Sequence, residues 1–78
     1  MKSEIRNDTD IKSGDRYQHY KGNLYEVLEV ATHTETLEKF IIYRSVNNPE
    51  KVWARPLEMF CDEVEVESGA APRFSRIS

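Results

Sequence analysis

Cysteine is nearly absent from this chain. Cys61 is the only one, so no intramolecular disulfide can form. A small fold without such a staple suits a reducing compartment. Long hydrophobic runs are missing too: no segment reaches the length that spans a bilayer. The opening "MKSEIRNDTD" has no apolar stretch to serve as the core of a signal peptide. A soluble cytoplasmic protein with no membrane partner is therefore expected. An excess of positive charge is also lacking, with 11 Lys and Arg against 14 Asp and Glu and a formal net charge of -3. General nucleic-acid binding, which needs a basic stripe along the phosphate backbone, is not expected, although a local basic patch is allowed.

Motifs of known chemistry are equally scarce. No Gly-rich phosphate loop and no Gly-x-Ser-x-Gly elbow is present. The imidazole and thiol ligands are His19, His33 and Cys61, and their spacing fits no Cys-x-x-Cys or His-x-x-x-His pattern, so no metal and no cofactor is expected. With 78 residues the chain makes one domain. A domain of this size buries roughly 60% of its unfolded surface, and a deep catalytic cleft would consume much of its core.

What is present reads as strands. Residues 1–12 carry charge with only Ile5 and Ile11 as isolated apolar positions, which predicts a flexible tail before a single domain over 13–78. "RYQHYK" and "LYEVLEV" flank Gly22-Asn23, a pair that marks a tight hairpin. Glu26 and Glu29 have opposite parity in the second run, so a β-bulge is expected between them, placing both carboxylates in water. "ATHTETLE" is a polar connection. "KFIIYRSV" is apolar on both faces, as a strand with neighbours on either side should be. "NNPE" is a turn and "KVWAR" the next strand, ended by Pro56, which cannot donate to a ladder. "PLEMF" fits one helical turn with Leu57 and Phe60 as core plugs. "DEVEVES" alternates and reads as a fifth strand with one wet face. "PRFSRIS" is a short edge strand or a tail. Together these predict an all-β domain, a small five-stranded antiparallel SH3-like barrel with one short helical turn before the last strand. An open antiparallel sheet with a short helix at "ATHTETLE" is the alternative.

The strings "HYKGNLYEVLEVATHTETLEKFIIYR", "VWARPLEMF" and "PRF" together resemble a small bacterial family, domain of unknown function 1653. The shared pattern is HYKG, YxV, AxHxET, YR and WxRPLEMF, over about residues 16 to 74. The resemblance implies a stand-alone bacterial domain. It carries over no activity, cofactor or site residue.

Candidate functional residues fall into two sets. The first is aromatic and basic: Tyr17, His19, Tyr25, Tyr43, Arg44, Trp53 and Arg55. Trp53 and Arg55 are two apart on a strand and share a face, with Val52 and Ala54 opposite. If Val52 and Ala54 are core, Trp53 and Arg55 form an outer surface that grips an anion or stacks on a flat group. The competing reading makes Trp53 core, with Arg55 a brace paired to Glu26, Glu29 or Glu58. The second set is His33 and Glu35. They are either a base or ligand pair at a pocket mouth or the hydrogen-bonding chemistry of a turn. Three functions stay open: a binding module for a peptide, an anionic small molecule or a short nucleic-acid segment; a small-molecule processing enzyme using His33 and Glu35; and a structural homodimer joined through strand edges.

Overall fold

The computed structural model describes residues 11–77. In chain order its elements are β1 (Arg16–His19), β2 (Leu24–Thr32), β3 (Lys39–Ser45), β4 (Val52–Pro56), a one-turn helix α1 (Leu57–Phe60), β5 (Glu63–Val66), β6 (Gly69–Pro72) and β7 (Phe74–Arg76). The fold is all-β with one short helix. Five strands form an antiparallel sheet in the order β4-β3-β2-β1-β7, and β5 and β6 form a separate ladder.

The expectation of a five-stranded closed barrel is corrected in two respects. "DEVEVES" does not join the main sheet. Its strand pairs with "GAAP" through a turn at Glu67-Ser68, and Gly69, which opens the return strand, holds φ +123°. The base of this hairpin is clamped. Arg73 Nε and Nη2 donate to the two carboxylate oxygens of Asp62 at 2.6 and 3.1 Å, and the Arg73 backbone N–H donates to the Asp62 carbonyl at 3.0 Å. With β5 and β6 tied to each other, the fifth place in the sheet falls to β7, which lies along β1 with Tyr17 opposite Arg76 and His19 opposite Phe74. Second, among the described residues no ladder joins the outer strands β4 and β7, so the sheet is open.

Local chemistry sets the connections. The β1–β2 turn closes with the Gly22 N–H donating to the His19 carbonyl at 2.7 Å, and Gly22 holds φ +108°, a conformation that glycine adopts at little cost. The expected bulge in β2 is a register shift between Val27 and Glu29. Glu26 lies opposite Arg44 and Glu29 opposite Ile42, so the bulge brings both carboxylates to one face. Glu29 is exposed, whereas Glu26 is partly covered and accepts from Arg44 Nη2 at 3.0 Å. The segment "ATHTETLE" is no helix: Ala31 and Thr32 extend β2, and the rest is turn and loop leading into β3.

The core is built on one face of the sheet. Tyr17, Val27, Ile41, Tyr43 and Phe74 are buried there, with Phe60 of α1 laid over them. Phe60 stacks on Phe74 with ring centres 4.2 Å apart and planes 9° from parallel, and meets Tyr17 and Tyr43 edge-on. Leu57 packs against this cluster from the same turn, so both plugs in "PLEMF" fill the core as read. Of the stretch read as a flexible tail, Ile11 and Lys12 are described. Ile11 is buried in the core, and the Lys12 N–H donates to the Asp15 carboxylate at 2.9 Å. The tail's remaining residues, 1–10, lie outside the described residues.

Candidate functional site

β3 and β4 pair with Tyr43 opposite Trp53 and Ile41 opposite Arg55. Directly opposed residues share a face. Trp53 and Arg55 therefore project on the same side of the sheet as the buried Tyr43 and Ile41, and Val52 and Ala54 are the exposed pair. This reverses the assignment in which Val52 and Ala54 are core. The competing assignment fails as well. Trp53 stays 48% exposed at the rim, and Arg55 takes none of Glu26, Glu29 or Glu58 as partner among the described residues.

The result is a cleft of about 160 Å³ lined by His19, Tyr25, Tyr43, Trp53, Arg55 and Phe74. Phe74 forms its base, with the rings of His19, Tyr25 and Tyr43 edge-on around it at 5.1, 5.7 and 5.6 Å. The Arg55 guanidinium lies 5.7 Å from the Phe74 ring centre, and its Nε donates to the Tyr43 hydroxyl at 3.2 Å. The terminal amino groups of Arg55 donate to no described residue. Asp62 is near enough for Arg55 to help hold its carboxyl below the usual range, but the main cause is the hydrogen bond from Arg73, which occupies that carboxylate. Arg73 is itself pushed above its ordinary value by the same bond. Arg55 is thus a half-buried cation in an aromatic cleft, with terminal donors that no described residue takes up.

His19 is held below the ordinary imidazole value, first by burial, then by the charges of Arg73, Arg55 and Lys21. Its Nδ1 accepts the Lys21 N–H at 3.2 Å, which places the proton of the neutral ring on Nε2. A second, larger cleft of about 430 Å³ is lined by Gln18, Tyr20, Gly22, Val66, Ala71, Pro72 and Ser75 as well as His19, and the register places its Gln18 and Ser75 on the sheet face opposite Phe74. His19 is the wall the two clefts share.

The remaining candidates go elsewhere. Tyr17 is buried against Phe60 as core. Arg44 lies on the other face, paired with Glu26. His33 and Glu35 sit in the β2–β3 turn and line neither cleft. There the His33 Nδ1 accepts the N–H groups of Glu35 and Thr36 at 3.1 and 3.2 Å, the turn chemistry that was one of its two readings. The same turn holds Leu37 at φ +64°, left-handed backbone that a leucine seldom adopts, with its side chain 70% exposed. Among the described residues no group of His, Cys, Asp and Glu is placed to hold a metal ion. No described helix is long and apolar enough to cross a membrane.

Sequence reasoning missed Phe74, which is at once the core partner of Phe60 and the base of the cleft. The available signal was that it is the single aromatic residue after Phe60. It also missed Arg73, whose capture of Asp62 leaves Arg55 without a carboxylate partner among the described residues.

Comparison with known proteins places this arrangement. No match is found among curated proteins. The crystal structure of a DUF1653 protein from Bordetella bronchiseptica is similar, with a TM-score of 0.76 and 29% sequence identity over 92% of this chain and 94% of that one. The family described as protein of unknown function (DUF1653) matches residues 15–76, which takes in every residue of the two clefts, and the chain belongs to that family.

Proposed function

We propose that this domain is a binding module that captures an anionic group with Arg55 and seats the flat or apolar group attached to it against Trp53, Tyr25 and Tyr43. The observation that carries this reading is the guanidinium of Arg55. It is half-buried over an aromatic base, fixed through Nε, and its terminal amino groups point to no protein acceptor among the described residues. A buried or half-buried charge is normally paired, because desolvation without a partner is costly. A planar guanidinium fits a carboxylate or phosphate through two parallel hydrogen bonds. A cleft of about 160 Å³ has room for one ring, since an engineered apolar cavity of roughly 150 Å³ takes a benzene. The neutral His19 beside Arg55 adds a further Nε2–H donor. We read the connectivity as SH3-like, with the β5–β6 hairpin inserted before the final strand, and the single cysteine as fitting a cytoplasmic setting.

Trp53 is the sole tryptophan and stands in the cleft wall, so its fluorescence reports occupancy directly. Titration with N-acetyl-phenylalanine should change that emission saturably. Its amide, which lacks the anion, should bind at least about tenfold more weakly, the scale of one charge-assisted contact. Arg55→Gln should bring the acid down to the level of the amide. Equal binding of acid and amide by the unaltered protein would refute the role given to Arg55.

A further inference from the structure

β4 is an open edge of the sheet, and its backbone directions follow from one bond. The Val46 N–H donates to the Leu24 carbonyl at 3.0 Å, so even-numbered residues of β3 turn their backbone groups toward β2 and odd-numbered ones toward β4. Tyr43 and Ile41 therefore bond Trp53 and Arg55, while the N–H and C=O groups of Val52 and Ala54 point out of the sheet, together with the Pro56 carbonyl. Pro56 costs the ladder nothing, because an N–H at its position would face outward. No described residue takes up the outward groups of Val52 or Ala54. Sheet edges are usually guarded by charge, bulges or shortness. β7, the opposite edge, is three residues long. β4 runs for five in unbroken register, and the side chains on its face away from the core, Val52 and Ala54, are apolar and exposed. Of the six exposed large apolar side chains among the described residues, Val52, Trp53 and Met59 belong to β4 or to the helix that follows it.

We infer that β4 pairs antiparallel with β4 of a second copy about a two-fold axis at Ala54, joining two five-stranded sheets into one. The register selects itself. About Ala54 every outward N–H finds an acceptor: the two Ala54 residues exchange both bonds, and each Val52 N–H donates to the partner's Pro56 carbonyl. An axis at Trp53 satisfies as many bonds but sets each Arg55 opposite the partner's Lys51, like charges on one face. Axes farther along β4 leave outward N–H groups with no strand partner. About Ala54, Arg55 instead lies opposite the partner's Trp53. Its guanidinium already lies over the Phe74 ring at 5.7 Å, and the partner's indole stacks on its open side. Stacking uses the guanidinium face and leaves the terminal amino groups in its plane accessible, so each copy adds a ring to the other's Arg55 cleft. Pairing stops at Pro56 because the chain turns into α1 at Leu57, so Glu50 is not carried on against the partner's Glu58. Five residues a side make a small interface, and the dimer is reversible. It needs no ligand, so its failure leaves the reading of Arg55 standing.

Sedimentation velocity on the full chain tests it. The unaltered protein should pass from monomer to dimer as its concentration rises toward about 1 mM, the weak end of specific association. Ala54 is exposed and lies opposite its own copy, so Ala54→Lys and Ala54→Glu should each keep the fold, as circular dichroism would verify, and each sediment as a monomer. Mixed in equal amounts, the two variants should recover the dimer. An unaltered chain that stays monomeric to about 1 mM would overturn a second copy as the occupant and leave the edge to an extended segment of another protein. If both variants dimerise as readily as the parent, β4 is not the interface. If the mixture stays monomeric, the axis does not lie at Ala54.

Discussion

Phe60→Ala removes the ring on which the core is assembled. Phe60 is 1% exposed, stacked on Phe74 at 4.2 Å and edge-on to Tyr17 at 5.1 Å and Tyr43 at 5.5 Å. Truncating a buried Phe costs about 3–5 kcal/mol from lost transfer energy and the cavity left behind. Relaxation can recover little, since Phe60 sits on a one-turn helix whose Cys61 N–H is tied back to the Leu57 carbonyl at 3.0 Å. A domain of this length holds on the order of 4–12 kcal/mol in all. The loss is therefore a large share of the total, and the melting temperature should drop by more than about 12 °C at the usual few degrees per kcal/mol. Urea unfolding followed by far-UV circular dichroism measures it, with the slope checked to confirm that the unfolded reference is unchanged. A loss below about 1 kcal/mol at constant slope would refute the packing argument, because no stacked, fully buried ring is that dispensable. Arg55→Ala supplies the contrast. It deletes one side-chain hydrogen bond and a cation near a ring at a partly exposed site, so its cost should stay under about 1.5 kcal/mol.

Ile11→Ala should destabilise by about 2–4 kcal/mol, as for other buried aliphatic truncations; a neutral result in the same urea assay would put residue 11 back in the tail. Gly22→Val should cost about 1 kcal/mol or more through backbone strain at φ +108°, not through a clash, since a Cβ there meets nothing within 4 Å; an equal cost for Gly22→Asn, which tolerates positive φ better, would argue against strain as the cause. Stability should fall as pH drops from about 6.5 through the lower folded-state value of His19, because the unfolded chain binds that proton more readily. His19→Asn keeps an acceptor for the Lys21 N–H and should flatten that part of the urea-midpoint profile; an unchanged slope would remove His19 as its source.

Strand positions were legible because each run carries its own local signal. "KFIIYRSV" is rich in β-branched and aromatic residues, Gly22-Asn23 sits at a turn needing positive φ, and β4 ends at Pro56, one residue beyond the Arg55 that its missing N–H suggested. The β2 bulge was legible from the parity of Glu26 and Glu29 alone. Which strand joins which was not, because alternation in "DEVEVES" says that one face is buried without saying against what. The clamp between Asp62 and Arg73 decides it, and that is a contact between positions eleven apart with no local signature. The facing of Trp53 failed for a related reason. Parity groups Trp53 with Arg55, but only the register against Tyr43 and Ile41 tells which pair looks inward. The cleft depends further on Phe74, which arrives from the far end of the chain.

That arrival has a consequence for biosynthesis. Strands β1 to β4 can form their meander from neighbouring hairpins as the chain emerges, but β7 must pair with β1 across nearly the whole length, Tyr17 against Arg76. Closing so long a loop is entropically expensive and slow compared with making a hairpin. Until Phe74 has left the ribosome, Phe60 has no ring to stack on and the Tyr17–Tyr43 face is only partly covered. Folding of this domain is therefore completed only after its last strand is translated. The nascent chain exposes an aromatic surface until then, and the same late event that seals the core also creates the Arg55 cleft.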